Sequence, residues 1–467
     1  MPTYYLRTFG CQMNEHDAER IRALLEAEGL EQRAEPDDAD VLVYNTCTVR
    51  KSADERLAGH LGTAARLKRE DPDRLVVVTG CLPQAEQAAF FERFPFVDVA
   101  LGPQNLSHLP EALRAFHHEP QGYFADDPAM SGELPSRRQR PYQAWLQVMS
   151  GCTNFCSYCI VPFVRGPERS RAPRAIIDEA RRLAADGVRE ITLLGQNVNA
   201  YGRDLTSGAP VGAIDEAAAR RDPAARRDPA ARRDPAARRD PAANGPTFAS
   251  LLHALDAVDG IERIRFTTSH PKDLSRDLID ALAELPGVCE HVHLPAQSGS
   301  DRILAAMRRG YTRERYLQLV ANLRQRVPSV AITTDLIVGF PGETGDDFAE
   351  TLSLVGEADF DGAFTFVYSP RPGTAAAALP GHLSDEVKRE RVQRLIAATQ
   401  QTARRRRQAM VGRRYEVLVE GPSRHGETLR GRTRQNVTVN FSGAARPGEL
   451  VDVLIEQATS TTLKGRR

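Results

Sequence analysis

Three cysteines fall within eight residues in Gly151-Cys152-Thr-Asn-Phe-Cys156-Ser-Tyr-Cys159-Ile-Val-Pro162, directly behind the apolar run Ala144–Met149. Their spacing is Cys-x3-Cys-x2-Cys. Thiolates are the ligands of iron–sulfur clusters, and a four-iron cluster takes four of them. Three from one tight loop leave one iron without a protein ligand, and an open metal position is where a substrate binds. Two other chemistries use cysteine. A structural zinc site wants four ligands, usually in two pairs. A disulfide takes two and leaves one over. The spacing favours the cluster.

A second set of three is scattered in sequence. Cys11 follows the strand-like Tyr4–Phe9, Cys47 follows Val41–Tyr44, and Cys81 follows Leu75–Thr79. Helical stretches separate these strands: Asp17–Glu28, with Ile21, Leu24 and Leu25 on one face, and a polar segment around 52–69. Such alternation predicts a parallel, doubly wound sheet. In that fold all carboxyl ends of the strands lie on one edge, where ligands bind. Three cysteines at equivalent strand ends therefore meet at one place, and a second three-thiolate cluster site is expected there. The plainer reading is three packed thiols, since cysteine is often simply buried. Cys289, beside a later strand, is read in that plainer way.

The elements that must position these residues follow from the rest of the chain. At 467 residues it is too long for one core, so two or three domains are expected. Hydrophobic residues at 41% and charged residues at 27% describe a soluble protein. No apolar run approaches the ~20 residues of a membrane span, no secretory signal opens the chain, and reduced thiols in the cytoplasm fit the cysteine usage. The net charge of zero hides an asymmetry. Residues 1–130 hold 22 acidic against 13 basic side chains, and residues 404–467 hold 14 basic against 6 acidic. A basic end points to a nucleic-acid contact, or to a solvated basic helix.

Five segments are expected. Residues 1–119 form the first α/β domain, and 120–140, with Pro128, Pro135 and Arg137–Arg140, a linker. Residues 141–380 carry six strand candidates: Ala144–Met149, Glu190–Leu194, Arg263–Thr268, His291–Leu294, Ala331–Val338 and Ala363–Tyr368. With helices between, these read as a partial (β/α)6 barrel whose chemistry sits on the loops after the strands. Gly195–Asn199, Thr268–Pro271, Pro295–Ser300 and Gly339–Glu343 are expected to wall its cavity. Gly339–Glu343 lacks the Lys-Ser/Thr of a phosphate loop, which excludes a nucleoside triphosphate site. An insert at 204–245, built on a hexameric Arg-Asp-Pro-Ala-Ala-Arg repeat, has nothing large to bury and is expected to be disordered. Residues 381–410 form a basic helical connector ending in Arg404–Arg407. Residues 411–467 give short β-runs of a small all-β, OB-like barrel, a common RNA platform. The fold class is α/β.

These motifs together resemble the methylthiotransferase family of radical S-adenosylmethionine (SAM) enzymes. The residues that carry the resemblance are Gly10-Cys-Gln-Met-Asn14, the pairing of Cys47 with Cys81, Gly151–Arg165 with Tyr158 in the aromatic slot, Gln297-Ser-Gly-Ser300 and Thr334–Thr344. The resemblance spans the whole chain except the repeat. It implies that Cys152, Cys156 and Cys159 hold a radical-generating [4Fe-4S] cluster and that Cys11, Cys47 and Cys81 hold an auxiliary one. It also implies two SAM molecules per turnover, one as methyl donor and one as radical source, and a C-terminal TRAM domain that binds RNA. The implied partners are the tRNA anticodon loop and a reductant such as flavodoxin or ferredoxin, with no membrane and the sulfur donor unspecified. Gln12-Met13-Asn14 and Pro295-Ala-Gln-Ser-Gly299 resemble the branch that methylthiolates C2 of N6-dimethylallyladenosine-37. The alternatives are the branches acting on threonylcarbamoyladenosine-37 or a ribosomal-protein aspartate, and, in another class, a non-catalytic iron–sulfur RNA-binding protein.

Overall fold

The computed structural model describes residues 1–48, 51–115, 119–125, 134–205, 245–424 and 426–467, with backbone alone over 51–56. The repeat and nearly all of the 204–245 insert lie outside the described residues. The chain divides into two compact units. One comprises Met1–Arg169, Asp186–Gln196 and Ser369–Leu379; the other comprises Ser170–Ala185, Asn197–Tyr368 and Pro380–Arg467.

The first unit is built on a six-stranded sheet in the order β2-β1-β3-β4-β5-β6. Its strands are β1 (Thr3–Thr8), β2 (Glu31–Gln32), β3 (Val41–Thr46), β4 (Leu75–Gly80), β5 (Val99–Leu101) and β6 (Gln121–Tyr123). Every pairing is parallel. Alternate residues of the central strands enter two separate cores. Leu42, Tyr44, Val76 and Val78 pack with Leu57, Leu61 and Leu67 of α2 (Lys51–Glu70). Val41, Val43 and Val77 pack with Ile21 and Leu25 of α1 (Gln12–Ala27). Burial on both faces explains the near-continuous apolar runs of β3 and β4. Two features differ from expectation. The supposed linker 120–140 contributes β6, held by β5 through Val99–Gln121 to Leu101–Tyr123. Strands β5 and β6 have three residues each, too short for periodicity to reveal. And α1 starts at Gln12, not Asp17, so Cys11 is its N-cap. Within the same unit β7 (Gln143–Gln147) pairs in parallel with the strand Glu190–Leu194.

In the second unit the strands His291–His293, Ala331–Val338 and Gly362–Val367 form a parallel sheet. The helix Asp385–Gln408 packs beside it and leads into a closed five-stranded barrel over 414–466. The barrel interior is apolar, with Val417, Val439, Phe441, Val453, Ile455 and Leu463 fully buried. Two arginines tie this barrel to the strand Arg263–Phe266. Arg263, 1% exposed, bonds the Glu416 carboxylate at 2.7 and 3.0 Å and the Arg432 carbonyl at 2.9 Å. Arg265 donates to the carbonyls of Thr433 and Arg434 at 2.8 Å each. A buried guanidinium left without these acceptors would be costly, so the barrel is seated at one place. Among the described residues no helix is long and apolar enough to cross a membrane.

Candidate cysteine sites

Cys11, Cys47 and Cys81 follow β1, β3 and β4, which are neighbours in register: Thr8 opposes Asn45, and Thr46 opposes Gly80. Strand order reverses between β1 and β3, the switch point where doubly wound sheets bind ligands. Gly10 shows how tightly the first two turns approach. At its φ of +139°, a Cβ would lie 2.3 Å from Asn14 Oδ1 and 2.6 Å from Cys47 Cβ. Asn14 stitches the two turns together, donating from Nδ2 to Asn45 Oδ1 at 3.2 Å and to the Thr46 carbonyl at 3.0 Å. Its Oδ1 accepts from the Cys11 amide at 3.3 Å. Asn45 returns a bond to the Asn14 carbonyl at 2.8 Å.

The electrostatics of this cluster are unequal. The Cys11 thiol falls to about 6 through its hydrogen bond with Cys47, which outweighs burial; the charge of Arg165 and the amides of Asn14 and Met13 add to it. Burial pushes Cys81 up, partly opposed by Arg165. Low-pKa thiols are thiolates at neutral pH, the form that ligates metal.

The second trio occupies the loop after β7. Gly151, at φ +72°, lets the chain pass against the Pro167 carbonyl, which a Cβ would meet at 1.8 Å. The Cys152 amide donates to the Gly166 carbonyl at 3.1 Å, and the Cys159 amide to the Cys156 carbonyl at 3.0 Å. The loop is thereby closed on itself. Burial raises the Cys152 thiol to about 11, with Glu168 and Cys156 adding to the rise. All seven cysteines are described, and none is disulfide-bonded. Among the described residues no three His, Cys, Asp or Glu side chains converge on a point that one metal ion would fill. In a four-iron cluster each thiolate binds a different iron, so a trio borders a volume rather than a point. The donor set of each trio, buried or half-buried thiols on closed loops, suits such a group. Cys289 is buried at the strand edge, away from both sets in sequence and sheet.

Several of the expected cavity-wall residues turn out to fasten the loops. Asn199 exchanges bonds of 2.9 Å with the backbone of His270, and Asn197 donates to Asp273 at 2.8 Å. Ser300 donates to Asp347 at 2.6 Å, and Glu343 pairs with Arg391 at 2.5 Å. The more open groups lie on one face of the strand Ala331–Val338, where half-buried Thr333, Asp335 and Ile337 alternate with buried neighbours. His293 Nε2 is 3.4 Å from Asp335, its Nδ1 is 3.0 Å from Thr333 Oγ1, and the exposed ring of Phe364 lies 6.0 Å away. Phe155 and Phe163, also exposed, make an edge contact at 6.3 Å beside the Cys152–Cys159 loop. Sequence reading passed over these three phenylalanines; exposure, not residue type, distinguishes them. It passed over the role of Arg165 as well, which bonds Asp17 at 3.0 Å with both side chains buried.

A Cys-x3-Cys-x2-Cys loop behind the first strand of a parallel β/α array defines a radical SAM protein. The model of the radical SAM superfamily matches residues 146–355, that of uncharacterized protein family UPF0004 residues 3–102, and that of the TRAM domain residues 408–466. A radical SAM methyltransferase from Kitasatospora setae, solved with tryptophan and a SAM analogue, has a TM-score of 0.54 and covers 81% of this chain and 75% of its own. At 15% identity that likeness is one of fold alone. Sequence relatives are far nearer. The tRNA-2-methylthio-N(6)-dimethylallyladenosine synthases of Moorella thermoacetica and Acidothermus cellulolyticus are 43% and 45% identical, over 99% and 98% of this chain and 98% and 86% of theirs. That of Caldicellulosiruptor saccharolyticus is 44% identical over 94% of this chain and 86% of its own. The chain belongs to the tRNA-2-methylthio-N(6)-dimethylallyladenosine synthase family.

Proposed function

We propose that this enzyme methylthiolates C2 of N6-dimethylallyladenosine at position 37 of tRNA, using two [4Fe-4S] clusters and two SAM molecules per turnover. Cys152, Cys156 and Cys159 would hold the radical-generating cluster, and Cys11, Cys47 and Cys81 the auxiliary one. The observation that carries this reading is the meeting of Cys11, Cys47 and Cys81 at the switch point of one sheet, in addition to the Cys152–Cys159 loop. When bound, the first cluster supplies the electron that cleaves SAM to a 5′-deoxyadenosyl radical, and the second holds or delivers the sulfur. The protein's own part is positional. Gly151 and the Cys152–Gly166 bond fix the loop that carries the three thiols. Asn14 and Asn45 lock the turns that carry Cys11 and Cys47. C2 of adenine is exposed only when the base is unstacked, and anticodon-loop bases can be splayed onto aromatic side chains. The exposed rings of Phe155 and Phe163, beside the Cys152–Cys159 loop, suit that task. The basic C-terminal barrel would track the tRNA backbone, a flavodoxin or ferredoxin would supply electrons, and the cytoplasm would be the setting. In domain terms, 1–119 would serve the auxiliary cluster, 141–380 the radical chemistry, and 411–467 the RNA.

The test feeds the anaerobically reconstituted chain with SAM, a reductant and sulfide. Three substrates run in parallel: tRNA with dimethylallyladenosine-37, tRNA with threonylcarbamoyladenosine-37, and the ribosomal protein. Mass spectrometry of the digests is expected to show a methylthio group on the first alone. Modification of another substrate instead would reassign the branch. Replacing Cys152, Cys156 and Cys159 with Ala is expected to remove half the iron and all SAM cleavage. Replacing Cys11, Cys47 and Cys81 is expected to remove the other half and leave SAM cleavage in place. SAM cleavage by both triple variants would overturn the assignment of residues.

A further inference from the structure

Arg165 belongs by sequence to the segment after the Cys152–Cys159 loop, yet its guanidinium is directed at the other trio. It is 6% exposed, and its Nη2 lies 3.0 Å from Asp17 Oδ2, a residue 148 positions away. Its charge lowers the thiols of both Cys81 and Cys11. Its position is held from both sides. Val164 and Ile160 pack against Cys81 in a small apolar cluster. Gln104 donates to the Arg165 carbonyl at 2.8 Å. Asp17 sits on α1, the helix that Cys11 caps, one i,i+3 step beyond Asn14, which is itself one such step beyond Cys11.

The energetics ask for a reason. A buried ion pair is weak as a source of stability, because desolvating both charges offsets most of their attraction; apolar replacements are often as good. Asp17 alone would neutralise Arg165. Its charge nevertheless acts on Cys81 and Cys11 as well, and three thiolates together would bring far more negative charge than one arginine removes. Potentials of thiolate-bound clusters are set by net charge and by hydrogen bonds to sulfur. Arg165 supplies positive charge beside the trio, and Asp17 opposes it.

We propose that Arg165 and Asp17 are a matched pair of positioning residues that sets the charge, and so the reduction potential, of the group held by Cys11, Cys47 and Cys81. This rests on the reading of that trio as an iron–sulfur site. A positive charge favours the more negative, reduced state. Loss of Arg165 must therefore lower the midpoint potential, and loss of the Asp17 charge must raise it. A purely structural pair would show no such opposition of sign.

The experiment uses the full chain carrying Cys152, Cys156 and Cys159 all replaced by Ala, so that its iron reports on the second site alone. Anaerobic redox titration, followed by electron paramagnetic resonance, is run on this parent and on Arg165→Gln, Arg165→Lys and Asp17→Asn. The expected result is a downward shift for Arg165→Gln, an upward shift for Asp17→Asn, and a smaller change for Arg165→Lys. Shifts of the same sign, or none, in iron-replete variants overturn the proposal. Should Arg165→Gln load no iron, loading becomes the readout: Arg165→Lys is expected to restore it and Arg165→Met is not. Equal loading by Met and Lys overturns the proposal. A parent that binds no iron would instead remove the reading of the site beneath it.

Discussion

Gly10→Ala should damage one cysteine site and spare the other. The backbone at Gly10 sits at φ +139°, where holding a residue with a Cβ costs about 1–3 kcal/mol. The new methyl would also lie 2.3 Å from Asn14 Oδ1 and 2.6 Å from Cys47 Cβ, distances at which something must move. Cys47 sits on the end of a buried strand, so Asn14 is the group that gives. Moving it breaks its bonds to Asn45 Oδ1 and the Thr46 carbonyl. An unsatisfied buried amide costs about 1–3 kcal/mol. The sum is roughly 2–6 kcal/mol, and since each 1.4 kcal/mol is tenfold in an equilibrium, iron retention at the Cys11 trio should fall by tenfold or more. Gly29→Ala is the control. Gly29 has φ +82° but nothing within 4 Å, so its variant carries backbone strain without the clash. Iron per chain after reconstitution and gel filtration, with thermal unfolding alongside, gives the readout. Gly10→Ala should lose about half the iron and keep SAM cleavage, whereas Gly29→Ala should lower the melting temperature slightly and keep all of it. Equal iron in the two variants would refute the close-approach argument.

Two further outcomes follow from ion pairs. In the basic run Arg404–Arg407, read as a nucleic-acid contact or a solvated helix, Arg405, Arg406 and Arg407 meet Asp359, Asp361 and the Ser460 carbonyl at 2.5, 2.9 and 2.7 Å. Exposed Arg404, Arg414, Arg446 and Lys464 should carry the tRNA contact. Replacing these four with Ala should flatten the salt dependence of tRNA affinity by roughly 0.7–0.9 for each phosphate no longer neutralised, read by fluorescence anisotropy. An unchanged slope would place the tRNA on another surface. Asp347 accepts from Ser300 Oγ at 2.6 Å, the Thr344 amide at 2.7 Å and Arg302, and despite burial these bonds hold its carboxyl well below the usual range. A depressed folded-state pKa stabilises above the unfolded value of about 4 and is lost as pH falls through the folded one. The melting-temperature gap between the parent and Asp347→Asn should therefore narrow from pH 6 to pH 3; a constant gap would contradict it.

The six central strand candidates stand where their apolar runs placed them, because β-branched runs bounded by turn residues are a local signal. The same holds for β1, β3 and β4, whose parallel pairing puts the strand ends that carry Cys11, Cys47 and Cys81 on one edge. The Cys152–Cys159 spacing needed no fold at all. Strands β5 and β6 were illegible, since three residues carry no period and a neighbouring strand defines them. Charge was the least legible property. The Arg405–Arg407 run reads as a basic patch, and only the tertiary structure brings Asp359 and Asp361 to Arg405 and Arg406. Arg263 and Arg265 lie in what reads as an ordinary strand, and only the barrel seated on them supplies the acceptors that allow their burial. Arg165 and Asp17 lie 148 residues apart. Sequence determines which residues form each strand and which thiols end it, because those forces act between near neighbours. Tertiary structure alone decides which distant carboxylate or sulfur a buried guanidinium meets, because a charge is satisfied by proximity in space and leaves no period in the chain.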